Sequence, residues 1–190
     1  MLAVAGNASA APAGITFKVV RGGSEVGTHT VRFRDEGDVL VAESAVRIQV
    51  RLAGFTVYRY THDTTERWQD GRLLALSSRL DRNGTPGFCE ARAGTGGIAL
   101  RGPGGDTVLP AEAAPLTWWR QASLRPGVPL FDPRKGERVA PRLEIGPAAG
   151  GTRVRVVGGE GAEILYDSAG QWVGFASVGE DGSAVSYRRA

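Results

Sequence analysis

Residues 55–84 read FTVYRYTHDTTERWQDGRLLALSSRLDRNG, and this stretch decides the fold. From Phe55 to Trp68 the side chains alternate in type, the period of a β-strand. Asp70-Gly71 and Asn83-Gly84 punctuate the stretch. Both dipeptides suit a two-residue hairpin turn, whose central residues need positive φ. Phe55–Trp68 and Leu73–Leu80 are therefore expected to pair antiparallel, with a further strand after Asn83-Gly84.

The same alternation and punctuation extend in both directions. Upstream, strands are expected over Ile15–Val20, Glu25–Arg34 and Val39–Arg51, with a break at Ala53-Gly54. Downstream they are expected over Phe88–Ala93, Gly97–Arg101, Thr107–Leu109, Glu137–Ile145, Thr152–Val157, Ala162–Asp167, Trp172–Val178 and Ala184–Arg188. Ala111–Ser123 lacks alternation, and Pro115 suits the first turn of a short helix ending near Ala122. Leu124–Lys135 holds Pro126, Pro129 and Pro133, so an extended loop is expected there. The pattern predicts a mainly β domain over 14–190, a curled antiparallel meander forming a half-barrel or open barrel that one short helix plugs or lids.

Composition agrees. Gly 28 and Pro 10 of 190 residues lie between short apolar stretches, which excludes a helical bundle. A net charge of +3, with Arg alternating with Asp and Glu, provides no one-sided basic patch, so no nucleic-acid partner is expected. One Cys and two His exclude a disulfide framework and a zinc site of standard spacing. No cofactor and no metal site are expected. Met1–Ala13 (MLAVAGNASAAPA) is uncharged and small-residue rich, with Ala8-Ser9-Ala10 before Ala11-Pro12. It reads as the remainder of a signal peptide cleaved near Ala10-Ala11, and implies a periplasmic or secreted protein. No stretch has the roughly 18 apolar residues of a membrane span, so no transmembrane segment is expected. In an oxidising compartment the lone Cys89 fits if it is buried.

Parity separates the faces. Val46, Ile48 and Val50 share a side with Tyr58, Tyr60, His62, Glu66 and Trp68, while Phe55, Val57, Arg59, Asp63 and Arg67 take the other. Leu74, Leu76 and Leu80 are expected on the apolar side, opposite a solvated ladder of Arg, Asp and Glu. An apolar face this wide needs a cover, and Trp118 and Trp119 are the candidates, either filling the core or lidding an aromatic pocket. His62 and Glu66 are four residues apart in an extended chain, about 13 Å, too far for a direct pair. His29 reads as a core or rim histidine. The glycine clusters at 94–97 and 102–105 precede no helix and read as hairpin turns, not phosphate loops.

As a set, Gly27-x-His29, Leu52-x-Gly54-Phe55-Thr56-x-Tyr58-Arg59-Tyr60, Glu66-Arg67-Trp68-x-Asp70-Gly71-Arg72-Leu73, Asn83-Gly84, Trp119 and Leu165-Tyr166-Asp167-x-x-Gly170 resemble an exported proteobacterial family, domain of unknown function 6134. The resemblance runs from Ile15 to Arg188. It implies a half-barrel similar to the lipoprotein carriers of the periplasm, and it carries over no catalytic residue. The chain departs from the pattern at Gly158–Ala162, where a tight turn replaces a longer segment.

Three functional readings follow. In the first, the hollow binds or carries a hydrophobic small molecule or lipid (acyl chain or isoprenoid), contacted by Tyr58, Tyr60, His62, Glu66, Trp68, Trp118 and Trp119. In the second, the chain is an enzyme with a site at His62 and Glu66. In the third, it is an envelope assembly or scaffold factor.

Overall fold

A computed structural model describes residues 11–158, 161–179 and 181–190. The signal-peptide reading and the middle of the Gly158–Ala162 turn lie outside them. The strands are β1 (Ile15–Arg21), β2 (Ser24–Glu36), β3 (Val39–Leu52), β4 (Phe55–Gln69), β5 (Arg72–Arg82), β6 (Thr85–Gly94), β7 (Gly97–Gly102) and β8 (Gly105–Leu109). After them come β9 (Ala114–Pro115), β10 (Leu130–Asp132), β11 (Glu137–Val139), β12 (Arg142–Ala148), β13 (Gly151–Val157), β14 (Ala162–Asp167), β15 (Trp172–Val178) and β16 (Ala184–Arg189).

Thirteen of these strands form one antiparallel sheet in the order β12-β13-β14-β15-β16-β1-β2-β3-β4-β5-β6-β7-β8. It is built from two meanders, β1–β8 and β12–β16, joined where the first strand pairs with the last, Val19 facing Tyr187. The sheet does not close, so the fold is an open half-barrel. Its outer face carries the expected charge ladder, with Arg47–Asp63 at 2.6 Å, Arg67–Glu36 at 2.6 Å and Arg79–Glu90 at 2.9 Å. Such exposed pairs contribute little individually. Its hairpins turn as the dipeptides predict, with φ +48° and +78° at Asp70-Gly71 and +53° and +85° at Asn83-Gly84.

Residues 110–141 leave the large sheet and run as a strap inside the half-barrel. The strap has its own small sheet, β11-β10-β9, in which Leu130, Phe131 and Asp132 are all buried. One core cluster joins the strap to β4–β8 through Trp68, Leu76, Ile98, Leu100 and Phe131. A second joins it to β1–β3 and β13–β15 through Phe17, Val31, Leu124, Ile164 and Trp172. Leu116, Trp119 and Leu143 pack against both clusters, so the sheet curls around the strap.

Three expectations need correction. The expected helix over 111–122 is absent: its start is β9, and only a 3-10 turn at Gln121–Ser123 remains. Extended backbone lets Leu116 donate to the Phe131 carbonyl at 2.8 Å and lets Trp118 and Trp119 reach different aromatic partners. The Pro-rich loop contains β10, and the strand expected over 137–145 is two, split around Pro141, with β11 in the strap and β12 at the sheet edge. Two bulges also shift parity. At Val50/Arg51 the bulge places Phe55 opposite Leu52, hence on the concave face, and at Arg67/Trp68 Leu73 rather than Leu74 becomes the buried residue.

The strap is seated by contact of backbone on backbone. A Cβ on Gly102, at the end of β7, would lie 2.4 Å from the Lys135 carbonyl oxygen and 2.8 Å from Gly136 Cα. Neither neighbour can rotate away, so Gly102→Ala is expected to destabilise the protein by about 1–3 kcal/mol in urea unfolding. Gly104→Ala, whose Cβ meets only the Glu137 carboxylate at 3.6 Å, is expected to cost much less; equal midpoints for the two variants would contradict this seating.

Candidate functional site

The concave face of β3 and β4 is covered unevenly. On β4, Thr64, Glu66 and Trp68 are buried beneath the strap, while His62, Tyr60 and Tyr58 are only partly covered. On β3, Ala42 and Val46 are buried, Ile48 and Val50 are partly covered, and Leu52 is exposed. The strap therefore fills the half nearer Trp68 and leaves the half nearer Tyr58 accessible.

Glu66 holds the filled half. Its side chain is 1% exposed, and each carboxylate oxygen accepts one indole N–H: Oε2 from Trp68 at 2.9 Å and Oε1 from Trp119 at 3.1 Å. The two indoles meet edge to face at 6.1 Å, and Phe33 packs on Trp119 at 5.1 Å. Arg120 lies over the Trp68 ring at 4.3 Å and donates to the Gly71 carbonyl at 3.0 Å and to Ser123 Oγ at 3.1 Å. Burial pushes the Glu66 carboxyl up to about 7, against the two indole hydrogen bonds and the Arg120 charge. Trp118 faces the other wing, packed at 5.6 Å on Phe175 with the rings tilted by 38°, and its carbonyl accepts the Tyr166 hydroxyl at 2.8 Å.

A polar row crosses the sheet where the cover ends. Ser44, Thr64 and Ser78 are cross-strand partners on β3, β4 and β5. His29 Nε2 is hydrogen-bonded to Ser44 Oγ at 2.8 Å, and His62 Nε2 to Ser78 Oγ at 2.8 Å and to Thr64 Oγ1 at 3.2 Å. Burial lowers His29 to about 3, with the nearby His62 acting in the same direction. Burial also lowers His62 to about 4, where Arg134 adds to the effect and Asp132 opposes it. Both imidazoles are neutral at pH 7. Those two charges come from the β10–β11 turn, where the buried Asp132 accepts the Arg134 backbone N–H at 2.8 Å and its guanidinium at 2.9 Å. The Tyr187 hydroxyl is pushed up by burial and senses Tyr60 and Arg134. Tyr60, His62, Tyr187 and Arg134 thus converge at the edge of the covered half.

His62 and Glu66 each have separate partners, so the structure does not bring them together. His62 and Ser78 have the spacing of a base and a nucleophile, but Ser78 is 0% exposed, and a sealed hydroxyl cannot attack a substrate. Cys89 is buried and its thiol is pushed up to about 12, chiefly by burial, which makes it unreactive. No group of metal-ligating side chains and no helix able to cross a membrane occurs among the described residues. Ser44, Ser78, Asp132, Arg134 and Arg120 are absent from the candidates the sequence suggests. Ser44 did carry a signal, as a polar residue within an apolar parity set.

Fold and site together define an open antiparallel half-barrel with an internal strap. The chain matches the family described as Domain of unknown function (DUF6134) over residues 17–190 and belongs to it. Comparison with curated proteins and with solved structures found no match.

Glu66 makes stability depend on pH in a definite direction. Its carboxyl titrates near 4.5 when unfolded and near 7 when folded, so between these values the folded state binds more protons. Stability then falls as pH rises through that window, by about 3 kcal/mol in all. Urea unfolding across the window should show this loss in the wild type and not in Glu66→Gln, once the common slope from the two histidines is subtracted. Parallel curves would contradict it.

Proposed function

We propose that the uncovered half of the concave face takes the apolar chain of a lipid-like ligand, an acyl chain or an isoprenoid, so that the protein binds or carries it. The supporting observation is the partial cover: Ile48, Val50, Tyr58 and Tyr60 line a concave apolar surface that stays accessible although the fold contains a strap able to fill such a surface. Tyr60, His62, Tyr187 and Arg134 at its inner end suit a polar headgroup, while Glu66, Trp68, Trp118 and Trp119 act beneath as the packed floor. A few polar groups beside a concave apolar surface are a usual composition for small-molecule sites. On this reading the protein works after export, in the periplasm, which the uncharged Met1–Ala13 supports, and it resembles the periplasmic lipoprotein carriers in how it uses its fold. The sealed Ser78 favours carriage over hydrolysis.

Titration with the fluorescent fatty acid cis-parinaric acid, together with native mass spectrometry of protein purified from its own envelope, tests the reading. Saturable binding of one probe per chain is expected, weakened about tenfold by Ile48→Gln, or ~1.4 kcal/mol. Gln49→Ala, on the outer face, should bind as wild type. Failure to bind, with a clean ligand-free mass, would contradict the proposal.

A further inference from the structure

The β3–β4 hairpin runs on beyond its pairing with either neighbour, with Arg21 of the β1–β2 hairpin reaching the Tyr58 ring at its base, 5.9 Å from the centroid. The last residue of β3 paired to β2 is Ile48, opposite Gly27, and β4 joins β5 only from Tyr60, opposite Arg82. Arg59 still bonds to Asn83 in the neighbouring turn, at 2.7 Å and 2.9 Å. Gln49–Tyr58 is therefore a two-stranded finger about 13 Å long. An isolated two-stranded ribbon is marginally stable in water, so a partner surface would favour it.

The finger's chemistry selects that partner. Leu52 and Phe55 face each other at the tip and are 70% and 75% exposed, with Val57 at 53%. Because the pair lies on the concave side, the apolar track of Ile48, Val50 and Tyr58 continues to the tip without interruption. The turn residues are also apolar. At Asp70-Gly71 and Asn83-Gly84 the first left-handed position holds a residue that favours it, but here Ala53 takes φ +48°. An alanine there is strained, and the usual polar residue is missing from the one turn that leads a projecting finger. Within the hairpin charge is one-sided as well: no acidic residue occurs between Glu43 and Asp63 in the chain, while Arg51 and Arg59 flank the tip and Asp81 of β5 sits beside Arg59 only at the base. Exposed Leu and Phe with flanking Tyr and Arg form an interfacial composition, in which rings and aliphatic tips enter the acyl region and guanidinium groups stay at the phosphates.

We infer that the β3–β4 finger is a membrane-docking element that inserts Leu52 and Phe55 into an anionic lipid surface, with Arg51 and Arg59 on the headgroups. The inference is separable from the ligand reading, since it is read on Leu52 and Phe55, which that reading does not use, and Ile48→Gln should weaken probe binding while leaving vesicle binding as in the wild type.

Sedimentation of the full chain with vesicles of phosphatidylcholine, and of phosphatidylcholine mixed with phosphatidylglycerol, tests it. The wild type should bind the mixed vesicles more tightly. Leu52→Asp with Phe55→Asp should lose at least about tenfold in affinity with an unchanged urea midpoint, because both side chains are already exposed. Arg51→Gln with Arg59→Gln should lose about fivefold per arginine on mixed vesicles only. No vesicle binding by the wild type, or undiminished binding by the Asp variant, overturns the inference. An unchanged preference in the Arg variant overturns its anionic part. A self-associated wild type that ignores vesicles, and becomes monomeric in the Asp variant, assigns the finger to a second copy and also overturns it.

Discussion

A carboxylate sealed between two indoles governs this half-barrel. Burying Glu66 is unfavourable on its own, and the cost is offset chiefly by the hydrogen bonds that Trp68 and Trp119 donate to it, with the Arg120 charge acting in the same direction. Trp68 belongs to the sheet and Trp119 to the strap, so satisfying the carboxylate requires the strap to lie where it does. A purely apolar contact would tolerate sliding of the strap along the sheet. The paired hydrogen bonds, with Arg120 closing onto Gly71 from the same side, set its register.

That register divides the interior. Under the strap the concave face is packed on both wings through Leu116, Trp119 and Leu143. Beyond the row of His29, Ser44, Thr64, His62 and Ser78 it remains accessible toward Tyr58 and the finger. The row suits a boundary, because its hydroxyls and neutral imidazoles are hydrogen-bonded across the strands without placing a net charge in the interior, with His29 Nδ1 alone among them buried and unpaired. Arg134 and Asp132 bring opposed charges to it from the strap's own turn, and Asp63 and Arg47 oppose each other in the same way from the sheet. One chain thereby combines a rigid filled half with an apolar half that reaches the rim.

Most of the sheet was legible in the chain. Alternation and the dipeptides Asp70-Gly71 and Asn83-Gly84 locate the strands, because the physics is local: pleat period and left-handed turn preference. The pairing of β1 with β16 was not legible, since it joins the two ends of the chain and no local pattern encodes it. Ala111–Ser123 misled because alanine content and Pro115 favour a helix, while the need to send Trp118 toward Phe175 and Trp119 toward Glu66 outweighed that local preference. The bulge at Val50/Arg51 left no mark in composition, and by shifting parity it moved Phe55 onto the concave face. Within the site, Tyr58, Tyr60, His62, Glu66 and Trp68 could be placed on one face by parity alone. Their division between floor and opening could not, because it depends on where a strap some fifty residues further on comes to rest; Glu66 and Trp119 are 53 residues apart.

Hydrogen exchange of the backbone amides in Glu66→Ala tests the central claim most directly. Ala114 and Leu116, which donate to Pro129 and Phe131 within the strap, should lose protection strongly, while the β13–β15 wing keeps most of its own. Strap amides as protected as in the wild type would show that the strap stays seated without the carboxylate, and would contradict the account.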